Sequence, residues 1–184
     1  MSKAFTKEGD GDDLNDVLDE GLEEEIVIND RNMMTPVGHK ALQDEYNFLW
    51  KEERPRITEI VSWAAGNGDR SENGDYLYNK KKLREIDRRL RYLTKRLDKP
   101  EIVDPKKQQN LEQVFFGATV TYTREDGTEM KVQLVGVDEA DLAKGKIFWQ
   151  TPVGRALMKA KPGDEVTVRE TGEVLEIIDV DYVI

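Results

Sequence analysis

YLYNKKKLREIDRRLRYLTKRL, residues 76–97, is the stretch that decides the fold. Tyr76, Leu83, Leu90 and Leu97 are spaced by seven, and Asn79, Ile86 and Leu93 form a companion series offset by three. Two such series make an a/d seam over three heptads, the pattern of an antiparallel helical hairpin. The seam is apolar except at Asn79, and Lys99-Pro100 ends the helix. About 28 residues at ~1.5 Å each give an arm on the order of 40 Å. An arm of that length has little core of its own, so it is expected to project from a domain or to rest against one at its base.

The partner helix precedes it. Thr35-Pro36 is a start signal, because Thr caps well and Pro at the first helical position lacks an N–H that would be unpaired anyway. Apolar residues recur at Val37, Ala41, Leu42, Phe48, Leu49, Ile57, Ile60, Val61, Ala64 and Ala65. Pro55 removes one backbone bond and predicts a kink near residues 52–54. Gly66 and Gly68 end the helix.

Between the two helices lies Gly68-Asp69-Arg70-Ser71-Glu72-Asn73-Gly74-Asp75-Tyr76, three carboxylates in seven residues. Two readings compete there. Asp69-x-x-Glu72 fits a capping box, with Asp69 capping the second helix and Glu72 reaching back from its third position. Local spacing alone favours this reading, which turns both acids towards backbone N–H groups. Alternatively one or both acids point outward to a hard cation. Magnesium prefers carboxylate oxygens and keeps several waters, so two acids supply only part of a site and a partner would supply the rest. Asn73, Asp75 and Tyr76 are expected to support this tip. Tyr76 fits the seam, whereas Tyr78 falls off it and could stack on a base.

Behind the tip, residues 80–99 hold ten Lys/Arg against three acids, Glu85, Asp87 and Asp98. An ordinary solvated helix face mixes signs, because opposite charges at i,i+4 help and like charges cost. The excess points to phosphate contacts by Lys80, Lys81, Lys82, Arg84 and Arg88. His39, the sole histidine, reads as a surface residue.

The net charge of −10 is unevenly spread. Residues 1–30 carry eleven Asp/Glu and two Lys, a net of −9, which leaves −1 for the rest. Residues 1–32 have no sustained apolar pattern and read as an acidic, disordered tail. The chain has no cysteine, hence no disulfide framework and no thiolate metal site. No apolar run approaches the roughly 18 residues of a membrane span, and the first residues lack the apolar core of a secretory signal. A cytoplasmic protein without membrane partners follows. No Ser-His-Asp, Cys-His, P-loop or dinucleotide fingerprint is present, so a stand-alone enzyme is not expected.

From about Asp104 the period changes to that of strands. Residues 114–123 and 130–137 read as a pair around Glu125-Asp126-Gly127, and residues 146–150 as a short strand. A short helix over 153–159 follows Pro152. Residues 165–169 and 173–180 form a closing hairpin around Thr171-Gly172. The expected organisation is α+β: the tail, a coiled-coil hairpin over 33–103, and a small domain over 104–184 with an antiparallel sheet and one helix.

The tip and residues 78–91 together resemble the tip and second helix of the Gre transcript cleavage factors, in particular the GreB subgroup. Thr35-Pro36-Val37-Gly38, Val137-Asp138-Glu139-Ala140-Asp141 and Thr151-Pro152-Val153-Gly154-Arg155-Ala156-Leu157 resemble further segments of the same family. The resemblance covers about residues 34–184. It implies an N-terminal coiled coil and a C-terminal FKBP-like domain. It also implies a monomeric factor that binds bacterial RNA polymerase at its secondary channel and acts there on the nascent RNA 3′ end. The tip acids, which fall on Asp69 and Glu72, would help to hold a magnesium ion shared with the polymerase, which cleaves backtracked RNA; no cofactor of the isolated factor is implied. Gln150, Thr151 and Pro152 fall in the polymerase-docking region. The alternative within the same shape is a non-catalytic binder that occludes the channel. Three positions depart from the family pattern: Gly74 and Gly154 stand where Ala is usual, and Gln150 where an acid is common.

Overall fold

Thr35 caps the first helix as its sequence predicts. Its hydroxyl accepts from the Gly38 N–H at 3.1 Å, and Pro36 sits at the first helical position. The computed structural model describes residues 31–66 and 73–182. The first helix, α1 (Pro36–Phe48), leads through a five-residue π turn, Leu49–Glu53, into α2 (Arg54–Ala65). After the tip comes α3 (Gly74–Asp98). From Asn32 onward the chain forms one compact unit. Among the described residues no helix is long and apolar enough to cross a membrane.

The α3 seam is the one read from the heptads. Asn79, Ile86, Leu90 and Leu93 are buried, and Tyr76, Leu83 and Leu97 half-buried. Two clusters fill the hairpin: Ile57, Ile86 and Leu90 midway, and Met34, Leu42 and Leu93 at the base, with Tyr46 and Leu49 packed against both. Buried Asn79 donates to the Asp75 carbonyl at 2.8 Å, a bond within its own helix.

The first half of the hairpin differs from its expected pattern. Val37, Ala41 and Phe48 are exposed. The inward series is Leu42, Leu49, Ile57 and Ala64, with steps of seven, eight and seven. An unbroken helix would rotate off the seam at the longer step. The π turn takes up the extra residue, with the Arg54 N–H reaching back to the Leu49 carbonyl. Pro55 has no N–H to offer Lys51, so the backbone pattern was already broken there. The expected kink is therefore realised as a π turn directly ahead of Pro55.

The base of the hairpin carries two short strands that periodicity does not reveal. β1 (Met33–Met34) pairs in parallel with β2 (Glu101–Ile102). Asn32, assigned above to the tail, belongs to this base: its side chain donates to the Arg96 carbonyl at 2.7 Å, and its own carbonyl accepts from the Glu101 N–H at 2.8 Å. Residues 1–30 lie outside the described residues.

The C-terminal part is a five-stranded sheet of β3 (Thr119–Arg124), β4 (Glu129–Val135), β5 (Lys146–Phe148), β6 (Glu165–Thr167) and β7 (Val174–Asp181), in the order β5-β4-β3-β7-β6. The pairs are antiparallel except β4–β5, which is parallel. The sheet is thus antiparallel, as expected, but for one parallel pair at that edge. Two 3-10 turns, Val137–Glu139 and Leu142–Lys144, carry the chain back to start β5 alongside β4. β3 begins five residues later than expected, because Gly117 turns the chain at φ 89°. A Cβ on Gly117 would stand 2.8 Å from the Pro105 ring. Val120 and Tyr122 point inward by strand alternation to a core with Leu134, Leu157, Leu175 and Ile177. The β3–β7 register skips Ile178, a bulge that turns this residue outward, where it is 46 % exposed. Tyr182 pins the strand entry: its hydroxyl accepts from the Phe115 N–H and donates to the Gln113 carbonyl. α4 (Pro152–Leu157) repeats the Thr-Pro-Val-Gly start of α1, with Thr151 accepting from the Gly154 N–H.

Candidate functional site: the hairpin tip, the basic face and the turn into the last helix

Asn73, not Asp69, caps α3. The Asn73 carboxamide oxygen accepts from the Tyr76 N–H at 3.1 Å, and its nitrogen donates to the Ala64 carbonyl at 2.9 Å. One side chain thus ties the start of α3 to the end of α2 and closes the neck of the tip turn. The capping box over Asp69 and Glu72 is therefore corrected: α3 starts at Gly74, too late for Asp69 to be its cap or Glu72 its third residue. Asp69 and Glu72 themselves lie outside the described residues. Asp75 stands exposed in the first turn of α3, where a carboxylate suits the positive helix end. Tyr76 is half-buried with the Lys80 ammonium 5.7 Å from its ring centre. Tyr78 is 68 % exposed. Trp63, which the sequence reading passed over, is 67 % exposed one turn before the tip. Its signal was its place beside Ala64 in the helical wheel, one step off the seam. At Gly74 a Cβ would meet nothing within 4 Å, so the usual alanine would fit there.

Counting charges on α3 alone overstated the free positive charge of the arm. Acids on the opposing helices neutralise part of it. Lys82 pairs with Glu53 at 2.7 Å, and Arg89 pairs with Glu45 through two bonds of 2.6 and 2.8 Å. Lys82 and then Arg56 hold the Glu53 carboxyl below its usual range. Arg96 is buried, 4 % exposed, and bonded to Asp138 at 2.7 Å. Lys82 and Lys80 are thus engaged within the hairpin itself. Lys81, Arg84, Arg88, Arg91 and Lys95 recur at steps of three and four, which places them on one face of α3, away from the seam. That face runs for about 21 Å, at 1.5 Å per residue.

The third candidate region is the turn into α4. Thr151 is half-buried at the cap, Pro152 is exposed, and Gln150 is half-buried beside them. The turn is rigid from below: the Thr151 N–H donates to the Phe148 carbonyl at 2.9 Å, and Gly154 packs so closely that a Cβ would stand 2.5 Å from the Trp149 carbonyl oxygen. His39 is half-buried rather than a surface residue.

Sequence reasoning treated Asp138 and Glu139 only as part of a resemblance, and Arg96 as part of the arm. The structure brings these three together with Tyr92 and Thr35 at the base of the hairpin. Burial and the bond to Asp138 push the Tyr92 phenol up to about 12. Arg96 follows Leu93 by three, a seam-edge position, and a cation there was the available signal.

Among the described residues no group of three or more acidic or imidazole side chains could hold a metal ion. Asp69 and Glu72 are hard oxygen donors of the kind magnesium takes, but two side chains leave most of its octahedron to other ligands.

Family models of known proteins match both halves of the chain. The family described as transcription elongation factor, N-terminal, matches residues 32–102, and that described as transcription elongation factor, GreA/GreB, C-terminal, matches residues 108–182. Transcription elongation factor GreB of Neisseria meningitidis serogroup B is 54% identical over 155 residues, covering 83% of this chain and 95% of that protein. Its counterpart in Pseudomonas putida is 50% identical over 143 residues, covering 77% and 88%. Among solved structures, GreA factor homolog 1 of Thermus thermophilus is similar with a TM-score of 0.39 and 19% identity, over 82% of this chain and 98% of that one. With both halves matched and half of the residues shared with such relatives, the chain belongs to the GreA/GreB family of transcription elongation factors, in its GreB subgroup.

Proposed function

We propose that the protein binds bacterial RNA polymerase, inserts its hairpin into the secondary channel and stimulates cleavage of backtracked RNA 3′ ends by the polymerase. It acts as an accessory, presenting Asp69 and Glu72 to a magnesium ion shared with the polymerase. The observation that carries this reading is the capping of α3 by Asn73. Capping is the structural task that spacing would have given Asp69, and another residue performs it. An acid pair that α3 does not need for its cap is suited to work on a partner's substrate.

The chain's own residues then have separable roles. α3 has 25 residues, about 37 Å of reach from base to tip. Asn73 ties the start of α3 to the end of α2. The basic face of α3, led by Lys81, Arg84 and Arg88, favours RNA phosphates and offsets their repulsion from the tip acids. Asp69 and Glu72 orient the attacking water and accept its proton. When bound, the shared metal would stabilise charge on the attacking and leaving oxygens of the phosphodiester. Gln150, Thr151 and Pro152 form the docking turn.

The test uses stalled, backtracked transcription complexes. Wild-type protein should release short 3′ RNA fragments. Asp69→Asn should bind with unchanged affinity and lose cleavage, and Pro152→Arg should lose affinity while remaining folded. Binding without cleavage by the wild type at saturating concentration would make the protein an occluder of the channel and overturn the proposal.

A further inference from the structure

We propose that Asp138 and Glu139 are positioning residues that fix the direction in which the hairpin leaves the sheet domain. These neighbours sit at the 3-10 turn after β4, and each takes hold of a different helix of the hairpin. The Glu139 carboxylate accepts from the Thr35 N–H at 2.9 Å and from the Thr35 hydroxyl, at the very start of α1. It also accepts from the Gly136 N–H of its own turn. The Asp138 carboxylate accepts from Arg96 Nε at 2.7 Å and from the Tyr92 hydroxyl, both on α3. The grip continues through the hairpin: the Arg89 guanidinium lies 4.9 Å over the Tyr92 ring and is bonded in turn to Glu45 of α1.

Close backbone packing surrounds these bonds. A Cβ on Gly38 would overlap the Glu139 carboxylate, and one on Gly136 would stand 2.6 Å from the Met33 carbonyl oxygen. Asp138 and Arg96 are almost fully buried, with side chains 8 % and 5 % exposed. A buried ion pair adds little to stability compared with an apolar packing of the same volume, and its attested use is to specify one arrangement over others. Here it would specify an angle. Two holds on two helices remove the freedom that one hold would leave.

The angle matters because the arm is long. From Arg96 to Asn73 is 23 residues, about 35 Å along α3. A swing of about 10° at the base would carry the tip some 6 Å, several times the 2.0–2.1 Å within which magnesium ligands must fall. The functional consequence rests on the cleavage reading; the geometry does not.

The experiment therefore has a readout independent of polymerase. The native chain has no cysteine, so Leu77→Cys and Glu165→Cys, at exposed positions on α3 and β6, allow a spin label at each. The parent should give one narrow distance distribution by pulsed electron resonance. Asp138→Ala/Glu139→Ala should broaden it or shift it by about 5 Å per 10° of swing, from the 19 residues between Leu77 and Arg96. In the cleavage assay the same variant should lose at least tenfold in rate at saturating protein, with the half-saturating concentration changing less than threefold. Should the alanine variant lose helical circular dichroism, the isosteric pair Asp138→Asn/Glu139→Gln is read by the same criterion. An unchanged narrow distribution in a folded variant overturns the proposal; a changed distribution with full cleavage rate overturns its functional consequence and leaves the clamp standing. A wild type that fails to cleave would sink the functional reading alone, because the distances still decide the clamp.

Discussion

Replacing Asn73 by alanine cuts two bonds at the neck of the tip turn and touches no core residue. The first is the cap bond to the Tyr76 N–H, and loss of an Asn cap costs about 1 kcal/mol. The second is the bond to the Ala64 carbonyl, a neutral hydrogen bond of about 1 kcal/mol. Together they hold the turn closed by about 2 kcal/mol. At about 1.4 kcal/mol per factor of ten, local opening should become roughly 30 times more frequent. Hydrogen exchange at the amides of Tyr76 and Leu77 reads this directly, since Leu77 bonds back to the Asn73 carbonyl. Asn73→Asp separates the two bonds, because it keeps the cap acceptor and loses the donor to Ala64; its exchange should rise by about tenfold or less. Cleavage by Asn73→Ala should fall while polymerase affinity holds. An exchange rate that rises less than threefold in Asn73→Ala would refute the reasoning, since the neck would then be closed by something else.

Three further outcomes are expected. Gly74→Ala meets open space and removes glycine's backbone entropy, so stability should rise by no more than the roughly 0.5–1 kcal/mol of a Gly-to-Ala change, read as a slightly higher melting temperature, with cleavage retained. Gly154→Ala should instead destabilise by more than 1 kcal/mol and weaken polymerase binding, read by denaturant melts and a binding titration, because its Cβ must displace the Trp149 carbonyl below the docking turn. The Tyr92 phenol, held neutral up to about pH 12 when folded and near 10 when unfolded, contributes stability that is complete below pH 10 and lost as pH rises towards 12. The stability difference between wild type and Tyr92→Phe should therefore shrink from pH 9 to pH 12 in urea melts.

What the sequence could show and what it could not divide along the range of the interactions. The α3 seam, the Thr35 cap and the turns at Gly127 and Gly172 are written in residues that lie within seven positions of one another. The π turn was half legible: Pro55 marked where the backbone pattern breaks, but the eight-residue step from Leu49 to Ile57 shows its purpose only once the inward residues are known. The charge of the arm was misjudged for a related reason. Glu45 and Glu53 lie on α1 and the π turn, 44 and 29 positions from Arg89 and Lys82, and no local count pairs them. Arg96 and Asp138, 42 positions apart, became partners only when the sheet domain was set against the hairpin. At the tip, spacing chose the wrong cap: an Asp three residues before a Glu looks like a helix start, yet Asn73 offers both an acceptor for α3 and a donor for α2, and a carboxylate cannot do both.

The π turn has a genetic corollary. Loss of a single codon within residues 50–53 would leave Leu42, Leu49, Ile57 and Ala64 at even intervals of seven, a plain helix with the same inward face. Loss of a codon between Ile57 and Ala64 would rotate everything beyond it by about 100°, sending Ala64 to solvent and the tip to the wrong side. One short window in this helix can therefore absorb a frame-preserving deletion, and lineages that differ in length by one residue are expected to differ there.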